Sequence, residues 1–337
     1  MAGKLTQLVR PYRSVSLIGM CKNAGKTTAL NRLIRDAARD GICLGLTSIG
    51  RDGEGKDLVT GTKKPGIYVP EGTLIATADQ LVLRCSDITR EILDTTGIFT
   101  PMGQVVLLRA RSDGSVELAG PSMTAQLASV REDFFRRGAR QVIIDGALSR
   151  KSLCSRRVSD ATVLCTGASY HKDLHTVVSD TAYQCRLLTL PETEDSRLQA
   201  LEETDDRRCQ LLCDGQLRPA DEGKGLDVTL RQEQPQAVFF GGALTDLTLR
   251  PLIASNVKLE GLCLVVRDAS RLLLKADTFE KLLRRGARLQ VCSNVNLTAV
   301  TVNPFSAYGF HMDGARLLEQ LQARVDVPVI NVMEDMP

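Results

Sequence analysis

One decapeptide constrains this chain more than any other feature: Gly19-Met20-Cys21-Lys22-Asn23-Ala24-Gly25-Lys26-Thr27-Thr28. An apolar run, Ser14–Ile18, precedes it, and a segment with Leu30, Leu33, Ile34 and Ala37 at helical spacing follows it and ends at Gly41. A strand, a glycine-bearing loop and a helix in that order are the context a phosphate-binding loop needs. Backbone N–H groups of Asn23 to Thr27 are expected to wrap a β-phosphate, helped by the positive end of the helix dipole. Lys26 is placed to reach the β- and γ-phosphates, and Thr27 to offer its hydroxyl to Mg²⁺. Gly19, Ala24, Gly25 and Thr28 complete the loop as candidate nucleotide-binding residues. The usual spacing puts the first glycine at residue 20, which is Met20, so Gly19 stands one residue early.

Gln141-Val142-Ile143-Ile144-Asp145-Gly146 is the matching second motif. A buried strand that delivers Asp145 at its C-terminal end sets a carboxylate beside the phosphate loop, where it can hold the Mg²⁺ water shell. Arg51, Asp52 and Glu54 follow a second apolar run, Cys43–Ile49. In a doubly wound sheet the C-terminal strand ends face the ligand crevice. Asp52 could there orient the attacking water or sit near Mg²⁺, and Arg51 could touch phosphate; a glycine-rich turn with solvated charges is the equal alternative. The segment 56–72 is a candidate switch ordered by the γ-phosphate. No Asn-Lys-x-Asp guanine motif is present, so ATP and GTP both stay open.

Short apolar strands alternating with helices predict an α/β fold, a doubly wound and mostly parallel sheet covered on both faces. Strands are expected at 141–144 and 161–165, a helix at 124–137, and a hairpin of 104–110 with 115–118 turning at Asp113-Gly114. In the second half, 237–240, 262–266, 289–292 and 327–332 read as strands, and 279–283 and 314–325 as helices. At roughly 150 residues per domain, 337 residues suggest about two domains. The polar stretch Pro191–Arg208, read as a solvated helix followed by a linker, is the candidate boundary, which divides the chain into a nucleotide-binding domain 1–190 and a second α/β domain 191–337. Two sequence echoes link the halves. Arg136-Arg137-Gly138-Ala139-Arg140 returns as Arg284-Arg285-Gly286-Ala287-Arg288, and Val142–Leu148 resembles Val238–Leu244 with Gly241 in place of Asp145.

Composition narrows the partners. Hydrophobic residues are 43% and charged residues 25%, which is ordinary for a globular chain. A net charge of +3 is too balanced to imply a nucleic-acid partner, and aromatics at 4% with no Trp argue against a row of base-stacking rings. No apolar run approaches the ~18 residues of a membrane span. Ten scattered cysteines without a repeated CxxC suit a reduced, cytoplasmic protein. His171 and His175, four apart, lack an evident third metal ligand. Arg150, Lys151, Arg156 and Arg157 form a basic cluster that suits phosphate, an acidic partner or plain solvation.

The loop resembles that of the P-loop NTPases, and its Asn-Ala-Gly-Lys-Thr core is shared with several GTPases. Lys22 is similar to the extra signature lysine of the subgroup with MinD-like ATPases and metallochaperone GTPases, although it lies four residues before Lys26 instead of five. Ser16–Thr28, with Ser48-Ile49-Gly50-Arg51-Asp52-Gly53-Glu54 after it, resembles a bacterial family described as reactivase subunits of lysine 5,6-aminomutase. The resemblance is specific over residues 1–55 and extends to about residue 165. It implies a P-loop NTPase fold and a Mg²⁺- and nucleotide-dependent chaperone that helps exchange damaged cobalamin on a cobalamin-dependent aminomutase, with a companion ATPase subunit. A small-molecule ligase or kinase similar to dethiobiotin synthetase, and a nucleotide-binding scaffold without turnover, are the alternatives.

Overall fold

The computed structural model describes residues 3–49, 66–84, 87–146, 158–204, 206–221 and 223–334. The chain forms two compact units, Met1–Ala182 with Asn296–Pro337, and Tyr183–Val295. In chain order the first unit holds α1 (Lys4–Val9), β1 (Ser14–Gly19), α2 (Lys26–Arg39), β2 (Leu44–Ser48), β3 (Ile67–Val69), β4 (Leu74–Ala78), α3 (Asp79–Arg84), β5 (Arg90–Thr100), β6 (Gly103–Ala110), β7 (Gly114–Val116), α4 (Thr124–Arg136), β8 (Gln141–Asp145) and β9 (Ala161–Gly167). Helix α5 (Leu174–Leu188) leads into the second unit. There follow α6 (Ser196–Ala200), β10 (Cys209–Cys213), β11 (Gln216–Pro219), α7 (Leu226–Glu233), β12 (Ala237–Phe240), β13 (Leu244–Thr245), α8 (Asp246–Ala254), β14 (Cys263–Val266), β15 (Leu272–Leu273), α9 (Ala276–Arg284) and β16 (Arg288–Val291). The chain then returns to the first unit as β17 (Leu297–Asn303), α10 (Gly314–Gln322) and β18 (Val329–Asn331).

The first unit is built on a nine-stranded sheet ordered β18-β17-β9-β1-β8-β2-β4-β6-β5. From β18 through β4 every pairing is parallel; β6 is antiparallel to both β4 and β5. The central strands are apolar on both faces because both faces are covered, and every residue of β1, β2 and β9 is buried. One face packs Leu30, Leu33, Ile34 and Ala37 of α2 against Val15, Leu17 and Leu46. The serines of β1 are buried but paired: Ser16 Oγ donates to Ser159 Oγ at 2.8 Å, and Ser14 N donates to Asp160 Oδ2 at 2.9 Å.

The second unit has its own five-stranded sheet, ordered β11-β10-β12-β14-β16. Its last three strands are parallel, and β10 runs antiparallel to β11 and β12. A core of Val238, Phe240, Leu264, Val266, Leu289 and the helix residues Leu249, Leu252, Phe279 and Leu282 lies on one face.

Two expectations are corrected. The division at residue 191 fails at both ends: the second unit starts at Tyr183, and β17 and β18 join the first sheet through β9 instead of completing a domain 191–337. Within the polar stretch the expected helix is present as the short α6, capped by Asp195, whose carboxylate accepts from Arg197 N. The hairpin is not formed. Residues 103–110 pair with β4 and β5, whereas β7 pairs antiparallel with β3. The sheet is therefore mixed, with its antiparallel part confined to one edge.

Both arginine–glycine echoes are the same helix stop. Gly138 (φ 95°) and Gly286 (φ 84°) are left-handed. Ala139 N donates to Phe134 O and Gly138 N to Phe135 O; Ala287 N donates to Leu282 O and Gly286 N to Leu283 O. This is the Schellman pattern, followed each time by a parallel strand.

Candidate functional site

Strand β1 ends at Gly19 in the middle of the sheet, between β8 and β9. The ladder continues one residue further, where Met20 N donates to Cys165 O at 2.8 Å. The loop then turns through Asn23 (φ 61°) and Gly25 (φ 93°) into α2. Gly25 is the N-cap of α2; no side chain caps that end, and its first turn holds no acidic residue. A helix start of this kind offers its first-turn N–H groups and the positive end of its dipole to an anion. Lys26, Thr27 and Thr28 open the helix half-buried, Ala24 is buried, and Lys22 is exposed.

Lys26 explains the early glycine. A Cβ on Gly19 would stand 3.1 Å from Nζ, Cγ and Cδ of Lys26. The lysine side chain folds back across the end of β1, so a side chain on the last residue of the strand would press against it. Gly25 is constrained twice, by its positive φ and by the approach of Asn303, whose Cβ lies 2.9 Å from where a Gly25 Cβ would be.

Asp145 ends β8 opposite Leu17 of β1 and Ser48 of β2. Its flanking backbone is tied on both sides: Gly146 N donates to Leu17 O at 2.9 Å, and Ile49 N donates to Asp145 O at 3.0 Å. Cys165, one ladder position beside Gly19, feels both charged groups. Burial pushes its thiol up to about 11, with Lys26 opposing and Asp145 reinforcing the shift. Burial likewise raises Cys21 to about 11 against the pull of Lys26. Both thiols stay protonated near neutrality. The structure thus brings Gly19, Asn23, Gly25, Lys26, Thr27 and Asp145 to one end of one sheet. Thr27 and Asp145 are hard oxygen donors, a set that suits Mg²⁺.

Arg51 and Asp52 lie outside the described residues, as do Arg150, Lys151, Arg156 and Arg157. Of the candidate switch, Gly66 to Gly72 is described and includes β3. His171 precedes α5 and His175 lies within it, so their spacing does not place them on one helical face. His171 Nδ1 accepts from Asp173 N at 3.0 Å. Among the described residues no three His, Cys, Asp or Glu side chains are grouped to hold a metal. Every cysteine among the described residues is a free thiol, and no described helix is long and apolar enough to cross a membrane.

Sequence reasoning missed the C-terminal contribution. Asn303, at the end of β17, meets the loop at Gly25. Ala168 N donates to Asn303 O, and Ala307 N to Ser169 Oγ, so the segments after β9 and β17 are joined at this end of the sheet. Asn303-Pro304 after an apolar alternation was the available signal, but nothing local ties residue 303 to residue 25. The chain matches no protein-family model and no curated protein.

Proposed function

We propose that this chain is a P-loop NTPase that binds Mg²⁺–nucleoside triphosphate, ATP or GTP, at the loop between β1 and α2. The observation that carries the reading is that loop: a buried parallel strand, a left-handed turn at Asn23 and Gly25, and an uncapped helix start headed by Lys26 and Thr27. Backbone N–H groups of residues 23–27 receive the β-phosphate, and the Lys26 ammonium meets charge on the β- and γ-oxygens. Thr27 and Asp145 hold Mg²⁺, directly or through water. Mg²⁺ supplies neutralisation of phosphate charge. From the sequence alone, Asp52 is the candidate for orienting the attacking water or sitting near Mg²⁺, and Arg51 the candidate for touching phosphate.

Hydrolysis then drives conformational work instead of small-molecule chemistry. That work is reactivation of an adenosylcobalamin-dependent aminomutase together with a companion ATPase subunit, as the resemblance of residues 1–55 to the lysine 5,6-aminomutase reactivase subunits implies. Calorimetry with ATP and GTP on the wild type and Lys26→Ala tests the site. Binding to at least one nucleotide is expected, with Lys26→Ala lowering turnover about 10²–10³-fold. Equal binding and turnover by both proteins would overturn it. Phosphate release tests the chaperone role. Stimulation by the aminomutase supports it, and stimulation by a small acid or amine would replace it with a ligase or kinase.

A further inference from the structure

The chain is poor in aromatic residues, with eight Phe and five Tyr in 337 residues and no Trp. Three of them, Phe305, Tyr308 and Phe310, fall within six positions immediately after β17. Phe305 and Tyr308 are 53% and 54% exposed, in a molecule that buries most of its large apolar side chains. Exposed rings concentrated at one place indicate a contact surface.

The segment that carries them is a built hairpin. Phe305 and His311 form an antiparallel bridge, and their rings lie 6.4 Å apart. Ser306 N donates to Phe310 O at 2.8 Å, and Tyr308 N to Ser306 Oγ at 3.1 Å. Its base is pinned by Phe305 N to Asn303 Oδ1 at 3.0 Å and Met312 N to Pro304 O at 2.8 Å. Its flank is pinned to the segment after β9 by Ala307 N to Ser169 Oγ at 3.1 Å, and the Lys172 ammonium lies 5.9 Å from the Phe310 ring centre. Rings held this way are presented without being ordered at the moment of binding.

Position selects the ligand. The hairpin starts two residues beyond Asn303, whose Cβ packs against the loop glycine Gly25. A nucleotide anchored by its phosphates in that loop carries its base toward the segments at the same end of the sheet, and this hairpin is the described one that presents exposed rings there.

We propose that Phe305 and Tyr308 form a stacking platform for the base of the bound nucleotide. The proposal rests on the phosphate-site reading above and deepens it. A ring face stacks on any purine, so the platform holds adenine and guanine alike and gives affinity without choosing between them. The absence of an Asn-Lys-x-Asp guanine motif from the sequence accords with this.

The experiment compares ligands with and without a base. Affinities of wild type, Phe305→Ala, Tyr308→Ala and the conservative Phe305→Tyr and Tyr308→Phe are measured for ATP, GTP and inorganic tripolyphosphate, with Mg²⁺ present throughout. Each alanine variant is expected to lose roughly 10-fold in affinity for ATP and for GTP, with tripolyphosphate unchanged and the conservative variants close to wild type. Equal loss for nucleotide and tripolyphosphate, or no loss for either, would overturn the platform while leaving the phosphate site standing. Loss for one nucleotide alone would overturn the claim of base tolerance. Failure of the wild type to bind tripolyphosphate and both nucleotides would overturn the phosphate site and the platform with it.

Discussion

Strands β8 and β12 carry similar sequences, Val142-Ile143-Ile144 and Val238-Phe239-Phe240, and both are buried inside their own sheets, β8 between two parallel neighbours and β12 between parallel β14 and antiparallel β10. They differ in the next residue. Asp145 ends β8, half-buried, at the same end of the sheet as Lys26. Gly241 follows β12, buried, where the chain at Asp206–Arg208 crosses the strand end: a Cβ there would lie 2.3 Å from Asp206 O. Arg267 Nη2 donates to that same carbonyl at 2.6 Å, and Gly241 N to Arg208 O at 3.3 Å. One unit leaves its strand end to a carboxylate, and the other closes it with backbone. An apolar parallel strand makes a position for chemistry, and the residue after it decides whether the position is used.

The strongest way to break this comparison is to substitute each of the two residues in turn. Gly241→Asp should destabilise the protein by about 3 kcal/mol or more in urea unfolding, because a buried carboxylate would press on a carbonyl oxygen. It should add no second nucleotide site by calorimetry; a gain of binding would mean the strand end is open. Asp145→Asn should leave the ligand-free melting temperature close to wild type. It should remove most of the Mg²⁺-dependent stabilisation by nucleotide, which is about 2.7 kcal/mol at ligand 100-fold above Kd. Unfolding of the ligand-free variant would make Asp145 a structural residue.

Acid sharpens the comparison next. Asp36 of α2 is 1% exposed. Burial alone would raise its pKa, but Thr6 Oγ1 at 2.6 Å, Gly3 N at 3.0 Å and the Arg32 guanidinium together hold it below the ordinary carboxylate value. A depressed pKa stabilises the fold at any pH above the unfolded value of about 3.9, and that stability is lost as pH falls through the folded value. The depressed carboxylates Asp195 and Asp206 of the second unit are held chiefly by arginines two residues further on, Arg197 and Arg208. Asp36→Asn should cost about 2 kcal/mol at pH 7 and flatten the acid limb of stability below pH 4. An unchanged acid limb would remove Asp36 as its source.

The smallest effect separates the two helix stops. Gly138→Ala should cost about 1 kcal/mol through its left-handed backbone alone, since nothing lies within 4 Å of the new methyl group. Gly286→Ala should cost more, because its Cβ would lie 2.9 Å from Glu260 Cα. Equal costs in urea unfolding would show that the backbone at residue 260 yields freely.

The elements nearest the loop were legible because their signals are local. The apolar run before Gly19, the helical spacing of Leu30, Leu33 and Ile34, and the run ending at Asp145 each describe their own burial, and β1, α2 and β8 formed where expected. The hairpin was misread because residues 104–110 and 115–118 alternate as any two neighbouring strands do. The partner of β7 is β3, which lies before β4 in the chain, and no local pattern names it.

By itself, the sequence determined where the chain would be strand or helix around residues 14–40 and 141–145, and it placed Lys26, Thr27 and Asp145 at strand and helix ends. Side-chain period and turn chemistry act over a few residues, so they can be read in place. Tertiary structure alone decided that β17 and β18 belong to the first sheet, that Asn303 touches Gly25, and that backbone closes the strand end at Gly241. A buried parallel strand carries its hydrophobicity in its sequence but not the identity of its neighbours. Pairing among such strands is set by which loops can close and which side chains fill the space between layers, and both are properties of the whole chain.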